Sequence, residues 1–265
     1  MSKAFPLCAA LLLVPFLTGC VITDDYVAFD SKVAPNRQVK TFDEGSWESE
    51  RALIQAAETA GNWNTVISVA NDVVAKNPTN VSARVALARA QTKTGDPTQA
   101  LRTLSFITGV STTPLQIERA RALMALHDRK AALQILQPIL ATVEKDPTLL
   151  TFDERRTAQT LSAVAYAFEG KFGEADQLYE KLLAESDDAT VRYNYARSLL
   201  LEGRAEDALA QLRPIMDVIP VARPTAVAAL LKLGREPEAR ALLKGVIPDE
   251  KIDALMAAVH GGAQK

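Results

Sequence analysis

The residues of this chain that could take part in catalysis or bind a metal are its histidines, cysteines and paired carboxylates. His127 and His260 are the only histidines, and they lie far apart in the sequence, so neither a His-rich metal cluster nor a Ser-His-Asp triad is predicted. Acid catalysis needs two carboxyl groups that face each other across a cleft. The acidic pairs instead fall in stretches of linker or loop character: Asp24-Asp25, Asp187-Asp188 and Asp249-Glu250. We therefore predict a protein without enzymatic activity, bound metal or cofactor.

The first 19 residues have the pattern of a signal peptide. Lys3 supplies one positive charge, and Ala4 to Leu17 form an apolar stretch. The small residues Thr18 and Gly19 follow it. As a helix this stretch would rise about 21 Å, which is less than the ~30 Å hydrocarbon core of a bilayer. The pattern therefore favours a cleaved leader over a permanent transmembrane helix.

Cys20 directly follows this leader. The sequence Leu17-Thr18-Gly19-Cys20 resembles the lipobox of bacterial lipoproteins, which implies cleavage before Cys20 and acylation, including palmitate, at that residue. Val21 and Ile22 after it resemble the pattern of Gram-negative lipoproteins sent to the outer membrane. The resemblance implies a protein anchored by lipid on the periplasmic face of that membrane. The alternative is that Cys20 is incidental and lies beside an ordinary cleavage site.

Residues 20–45 are predicted to form a flexible tether that follows the lipidated cysteine. This segment lacks helical periodicity and contains Asp24-Asp25, Pro35-Asn36 and Asp43-Glu44-Gly45, which are typical of turns and linkers. About 25 flexible residues span roughly 25–30 Å. The alternative is that Tyr26, Val27 and Phe29 pack on the first helices.

The composition beyond the tether favours an all-helical fold. Ala and Leu recur throughout, and Gly contributes only 12 of 265 residues. With 48% hydrophobic residues the chain has too much apolar surface to stay disordered. A net charge of −2 gives no basic excess to neutralise phosphates, so nucleic acid is not a predicted partner.

Glycines recur at a spacing typical of helical repeats. They stand at Gly61, Gly95, Gly170, Gly203 and Gly234, and the residue five places after each is Val66, Ala100, Ala175, Ala208 or Ala239. The gap between Gly95 and Gly170 is wide enough for one further repeat. There His127 takes the glycine position and Ala132 the small position. The pattern predicts six helical hairpins.

These repeats resemble the tetratricopeptide repeat, most clearly in the fifth one. Its matching residues are Ala196, Leu199, Gly203, Ala208, Leu212, Ile215 and Pro220. The resemblance implies an all-α solenoid over residues 46–248, a right-handed superhelix of about six hairpins with a concave inner groove. Ile252 to His260 are predicted to form a capping helix within a C-terminal segment, residues 249–265, that ends in a frayed tail.

The groove implied by this resemblance defines the candidate binding residues, since first-helix residues three and four apart line it. They are Arg51, Gln55, Arg89, Lys93, Arg121, Tyr193, Asn194 and Arg197. Arg89, Arg121 and Arg197 share one repeat position, and such a cationic stripe would suit an acidic peptide or a terminal carboxylate. The alternative is that these arginines form a solvated helix face paired with Glu48, Glu58 and Glu118.

Two short sequence segments resemble the TadD-type lipoprotein of the tight-adherence (Flp) pilus system. They run from Val191 to Ala196 and from Leu201 to Ala208. The resemblance implies an interaction scaffold that helps a secretin or another pilus-assembly component to assemble or localise, with the lipid as its contact to the membrane. Two alternatives remain open: a subunit of the outer-membrane protein assembly machinery, and an adaptor for a cell-envelope hydrolase.

Overall fold

Helical hairpins build the whole of the described chain, which confirms the all-α fold class. The structure, a computed structural model, describes residues 47–262. Within that range the chain divides into two compact units, here called the N-terminal unit (residues 47–165) and the C-terminal unit (residues 166–262). No helix in the described range is both long and apolar enough to cross a membrane.

The N-terminal unit contains three complete hairpins and most of the helix that follows them. Its helices are α1 (Trp47–Thr59), α2 (Trp63–Lys76), α3 (Val81–Lys93), α4 (Pro97–Ser105), α5 (Thr113–Ala125), α6 (Arg129–Lys145) and α7 (Phe152–Phe168), which extends past the unit boundary. From α1 through to α6 each helix packs on its neighbour in sequence, and α3 also packs on α5, which is the stacking expected of successive hairpins.

The C-terminal unit continues the same alternation. It contains α8 (Phe172–Glu185), α9 (Ala189–Glu202), α10 (Ala205–Leu212), α11 (Ala222–Lys232), α12 (Glu236–Leu243) and α13 (Asp249–Gly262). Arg213–Ile215 form a 3₁₀ turn that extends α10. From α8 through to α13 each helix packs on its neighbour in sequence.

Positive backbone φ angles end the first helix of each hairpin, as the glycine spacing predicts. The φ angle of Gly203 is 96°, and its N–H donates to the carbonyl oxygen of Leu199, which closes the last turn of α9. His127 takes the same left-handed conformation with a φ of 64° and is the one non-glycine residue of the described range to do so. The missing glycine of the third repeat is therefore replaced without loss of the turn.

Small residues five places after these turns bring the two helices of a hairpin together. Val66, Ala100, Ala132, Ala175, Ala208 and Ala239 are each 0% exposed. At these sites the short side chain lets two helix axes approach closely, which leaves no room for a longer one. The residues identified from spacing alone are thus the contact points of the fold.

Asparagine and aspartate side chains set where many helices begin. Asn62, Asn80, Asp96, Asp128 and Asp188 each accept a hydrogen bond from the backbone N–H three residues later. Such a cap satisfies a donor that the helix itself leaves unpaired. The pair Asp187-Asp188, expected to lie in a loop, therefore includes the N-cap of α9.

The terminal helix is longer than the sequence predicts. It runs over Asp249–Gly262, so Asp249 and Glu250 lie in its first turn and not in a loop. Acidic residues stabilise that end of a helix through its macrodipole, which explains the earlier start. Ile252 and Met256 are buried, and α13 packs on α12. Gly261 and Gly262, predicted to belong to a frayed tail, are the last residues of this helix.

Candidate functional site

First helices of the N-terminal unit carry five of the eight candidate groove residues, in three different environments. Arg51 and Gln55 on α1 are exposed, and Arg89 and Lys93 on α3 are half-buried. Arg121 on α5 is buried. Exposure therefore falls from the first hairpin to the third.

Four charged side chains connect these first helices. Glu118 on α5 accepts a hydrogen bond at Oε1 from Arg89 Nε (2.8 Å) and one at Oε2 from Arg121 Nε (3.1 Å). Arg89 Nη1 also donates to Glu58 Oε1 on α1, at 3.2 Å. Glu118 is only 1% exposed. We call this set, Glu58, Arg89, Glu118 and Arg121, the ionic ladder.

The ionic ladder has no net charge, because it contains two glutamates and two arginines. Burial raises the pKa of Glu58 above its ordinary value, against the opposing effect of the Arg89 guanidinium. The carboxylate of Glu118, partly offset by burial, raises the pKa of Arg89. Pairing with Glu58 and Glu118, which the sequence left open as an alternative, is thus present, but the side chains are largely buried and not solvated. An acidic ligand would have to compete with these two glutamates.

Two further contacts hold α3 in place beside the ladder. The Lys93 ammonium lies 5.6 Å from the centroid of the Trp63 ring, a cation–π contact with the second helix of the preceding hairpin. Buried Thr103 donates to Gln91 Oε1 at 2.8 Å. Both contacts fix the direction of α3, so they position the face that carries Arg89.

The other three candidate residues lie together on α9 of the C-terminal unit. Tyr193, Asn194 and Arg197 are all buried. The Arg197 guanidinium carbon lies 5.9 Å from the Tyr193 ring centroid and 5.9 Å from that of Phe168. Two aromatic faces therefore flank this cation and limit the planes it can adopt.

Asn194 carries a buried donor that nothing in the described range satisfies. Its Nδ2 has no hydrogen-bond partner, although the residue is only 5% exposed. An unpaired buried amide of this kind costs about 1–3 kcal/mol. Asn194 and Arg197 are three residues apart on one helix, so their side chains share a face. Because Nδ2 is itself covered from solvent, a ligand oxygen would reach it only after the side chains that cover it move.

An aromatic pair supports the same helix from α8. The Tyr179 and Tyr195 rings stack with centroids 5.0 Å apart and an angle of 22° between their planes. The Tyr195 hydroxyl donates to Glu180 Oε1 at 3.5 Å. Burial, reinforced by the nearby carboxylates of Asp176 and Glu180, raises the pKa of Tyr195 to about 12, so this hydroxyl remains protonated at neutral pH.

Sequence reasoning named Glu118 without its burial and missed Phe168. The sequence indicated Glu118 only as a partner in a solvated face, although its position three residues before Arg121 is a pairing signal. Phe168 gave no signal, because its contact with Arg197 depends on packing between helices.

Cys20, the predicted lipidation residue, lies outside the described residues. Within residues 47–262 no group of three or more His, Cys, Asp or Glu side chains could hold a metal ion.

Known proteins with the same fold support a tetratricopeptide-repeat architecture. A tetratricopeptide-repeat family model matches residues 81–105 and 189–214, which are the second hairpin and most of the fifth. No curated protein matches the chain. The structural likenesses below are at 21% identity or less, so they describe the fold alone.

Three solved structures illustrate the likeness. PilW, described as a widely conserved type IV pilus biogenesis factor, is similar with a TM-score of 0.65 and 16% identity over 79% of this chain and 97% of that one. A thermophilic repeat protein of Thermus thermophilus gives 0.55 and 21% over 69% and 98%. A Parabacteroides merdae repeat protein gives 0.56 and 15% over 82% and 86%. Two segments of the chain thus match the tetratricopeptide repeat, and its fold is similar to that of solved tetratricopeptide-repeat proteins.

Proposed function

We propose that this protein is a non-enzymatic, lipid-anchored scaffold that binds a protein partner of a pilus or secretion machine at the periplasmic face of the outer membrane. The single observation that carries the binding part is the unpaired Nδ2 of buried Asn194 on α9. The anchor at Cys20 and the location rest on the lipobox resemblance.

The chemistry of the α9 face selects an oxygen-bearing ligand. A peptide backbone carbonyl or a chain-terminal carboxylate would satisfy the Asn194 amide and gain from the positive charge of Arg197. The rings of Phe168 and Tyr193 hold that guanidinium in a limited set of orientations, which lowers the entropy lost on binding. This part of the C-terminal unit is therefore the preferred peptide site.

The N-terminal arginines already have carboxylate partners. Arg89 and Arg121 already pair with Glu58 and Glu118, and the pairs are largely buried. Replacing those glutamates by a ligand carboxylate would gain little, because one ion pair would only be exchanged for another. Arg51 and Gln55 are exposed and remain candidate contacts within the N-terminal unit.

Two observations support a role in pilus assembly. The sequence segments around Tyr193 and Gly203 resemble the TadD-type lipoprotein. The fold is similar to that of PilW, which is described as a type IV pilus biogenesis factor. Both favour a secretin or another pilus-assembly component as the partner.

Crosslinking in intact cells followed by purification of the protein tests this proposal. We expect a secretin or pilus component to copurify with the wild type and to be lost with Asn194→Leu. Thr225 is the matched control, because it occupies the same repeat position on α11 but donates to the Val221 carbonyl oxygen. Thr225→Val should retain the partner. Recovery of a barrel-assembly protein or a peptidoglycan hydrolase in its place would contradict the pilus assignment.

A further inference from the structure

One edge of the N-terminal unit collects the end of the chain that leads to Cys20 and several loops. Because the two helices of each hairpin run in opposite directions, every first helix begins at the edge where the second helices end. Trp47 at the start of α1 therefore lies at the same edge as residues 77–80, 106–112 and 146–151. We call this the tether edge.

Large apolar side chains are concentrated at the tether edge. Phe106 is 71% exposed, Val110 45%, Leu149 66% and Phe152 47%. Among the described residues of the N-terminal unit, the other exposed large hydrophobic residue is Leu126, which follows α5 at the opposite edge. Scattered single residues of this kind are common on protein surfaces, but four at one edge of a unit make that edge a candidate interaction surface.

Each exposed phenylalanine carries a guanidinium beside it. The Arg84 guanidinium carbon lies 5.0 Å from the Phe106 ring centroid, and that of Arg155 lies 5.4 Å from the Phe152 centroid. The same pairing thus occurs twice along this edge. An aromatic ring next to a guanidinium matches the boundary of a bilayer, where the ring enters the acyl region and the cation meets a phosphate.

Two acidic side chains at this edge are held within their own loops, while Glu48 and Asp153 in the first helical turns there are exposed. Asp146 accepts hydrogen bonds from the N–H and hydroxyl of Thr148, and Glu154 accepts them from those of Thr151. Their carboxylates are thereby directed to the backbone of their own loop.

The tether gives the reason to choose a membrane over a protein as the occupant. If Cys20 is acylated and residues 20–45 form the predicted tether, about 25 flexible residues would span roughly 25–30 Å, and the described chain begins at this edge with Trp47. The tether would therefore join the N-terminal unit at this edge. A weak surface contact becomes effective when a tether holds it close to its target.

We propose that the tether edge lies on the phospholipid surface, with Phe106, Leu149 and Phe152 inserted at the headgroup boundary and Arg84 and Arg155 on lipid phosphates. This inference rests on the lipid anchor in the proposed function. It gives the anchor a second, weaker membrane contact and directs the Leu126 edge away from the bilayer.

Vesicle flotation tests the contact without the acyl chains. The mature chain, residues 20–265, would carry Cys20→Ser and be mixed with vesicles of phosphatidylethanolamine and phosphatidylglycerol. We expect weak binding that Phe106→Ser combined with Leu149→Ser lowers about tenfold. Leu126→Ser, the same change on the opposite edge, should leave binding unchanged. Failure of the Cys20→Ser chain to float, or equal binding by all variants, overturns the proposal.

Tryptophan quenching tests the orientation. Trp47 begins α1 at the tether edge, and Trp63 begins α2 at the other end of that hairpin, about 20 Å away along the helix. Because these are the only two tryptophans, Trp63→Phe leaves Trp47 as the sole reporter and Trp47→Phe leaves Trp63. Brominated lipids should quench Trp47 and not Trp63. Stronger quenching of Trp63 would overturn the orientation.

Three measurements distinguish this inference from a dimer interface and from the proposed function. Dimerisation that depends on Phe106 in size-exclusion chromatography would assign the edge to a second copy of the chain and overturn the lipid assignment. Partner capture through Asn194 does not use Phe106. If partner capture fails, the vesicle-binding result therefore still stands. Membrane release of Cys20→Ser in cells tests the anchor by itself.

Discussion

Arg89 donates to a glutamate of the following hairpin, because its Nε lies 2.8 Å from Oε1 of Glu118, a side chain that is only 1% exposed. This contact joins two first helices, and Glu118 also accepts from Arg121 on its own helix. Removing the charge of a buried carboxylate that serves two guanidinium groups takes one partner from each of them.

Glu118→Gln should therefore lower the free energy of unfolding by about 3 kcal/mol or more. The change keeps the shape of the side chain and removes its charge, so no cavity contributes to the loss. Urea unfolding followed by circular dichroism measures the effect. Glu50→Gln is the control, since its pair with Lys76 is exposed and should be worth less than about 1 kcal/mol. Equal small losses in the two variants would show that the ladder adds no stability.

Glu58 should give stability a distinct dependence on pH. Burial raises its pKa in the folded chain above the ordinary 4.5, so the folded state holds this proton more tightly than the unfolded state. The resulting stabilisation is complete below about pH 4.5 and is lost as the pH rises through the folded value. Glu58→Gln removes this contribution, while the other carboxylates titrate equally in both proteins. Urea midpoints compared from about pH 4 to about pH 8 should show a difference between the two proteins that changes with pH. Parallel curves would contradict the raised pKa.

Asn194→Leu should separate binding from stability. Its Nδ2 has no partner within the described range, so an apolar side chain of similar size removes an unsatisfied donor and should leave the free energy of unfolding unchanged or raise it by up to about 1–3 kcal/mol. Partner capture should fall at the same time. Gln91→Leu is the contrast, because it removes the acceptor of buried Thr103 and should cost about 1–3 kcal/mol. A large loss of stability in Asn194→Leu would assign this residue to the fold.

His127→Gly should stabilise the protein by about 0.5–1 kcal/mol. His127 adopts a φ of 64°, a conformation that strains any side chain with a Cβ, and glycine relieves that strain at a smaller entropic cost. The reverse change, Gly203→Ala, should cost about 1 kcal/mol. A Cβ at that position would meet no atom within 4 Å, so its penalty comes from the backbone alone. Thermal unfolding of both variants measures the two effects, and a lower melting temperature for His127→Gly would show that the imidazole contributes a contact of its own.

Cys20→Ser should release the protein from membranes. Acyl chains contribute about 0.8 kcal/mol per buried CH₂, far more than the few exposed side chains of the tether edge can supply. Fractionation of cells into membrane and periplasm measures the change. Cys8→Ser is the control, because Cys8 lies within the predicted signal peptide and would be absent from the mature protein. Membrane partition that does not change in Cys20→Ser would refute the anchor.

Local rules explain why the fold could be predicted from the sequence. A glycine that ends one helix and a small residue five places later report contacts within a single hairpin, as Gly203 and Ala208 do. Such contacts depend on residues close in the chain, so their spacing identifies them. The predicted start of α13 is three residues late because acidic residues suit both a loop and a first helical turn.

Burial of the candidate groove residues could not be predicted in the same way. Repeat position identifies the face on which Arg121 or Arg197 lies, but the neighbouring hairpin determines what covers it. Glu118 and Phe168 reach these arginines from other helices or another turn, and their choice of partner depends on side-chain packing in three dimensions. The spacing of the repeats in the sequence does not predict how these side chains pack.

The fully buried sites that follow each turn are among the positions that do not tolerate a larger side chain: Val66, Ala100, Ala132, Ala175, Ala208 and Ala239. A larger side chain at any one of them would push two helices apart and cost about 1–3 kcal/mol. A library built to retarget this scaffold could vary the exposed helix faces widely while holding these six residues constant. New specificity could then be selected without redesigning the backbone.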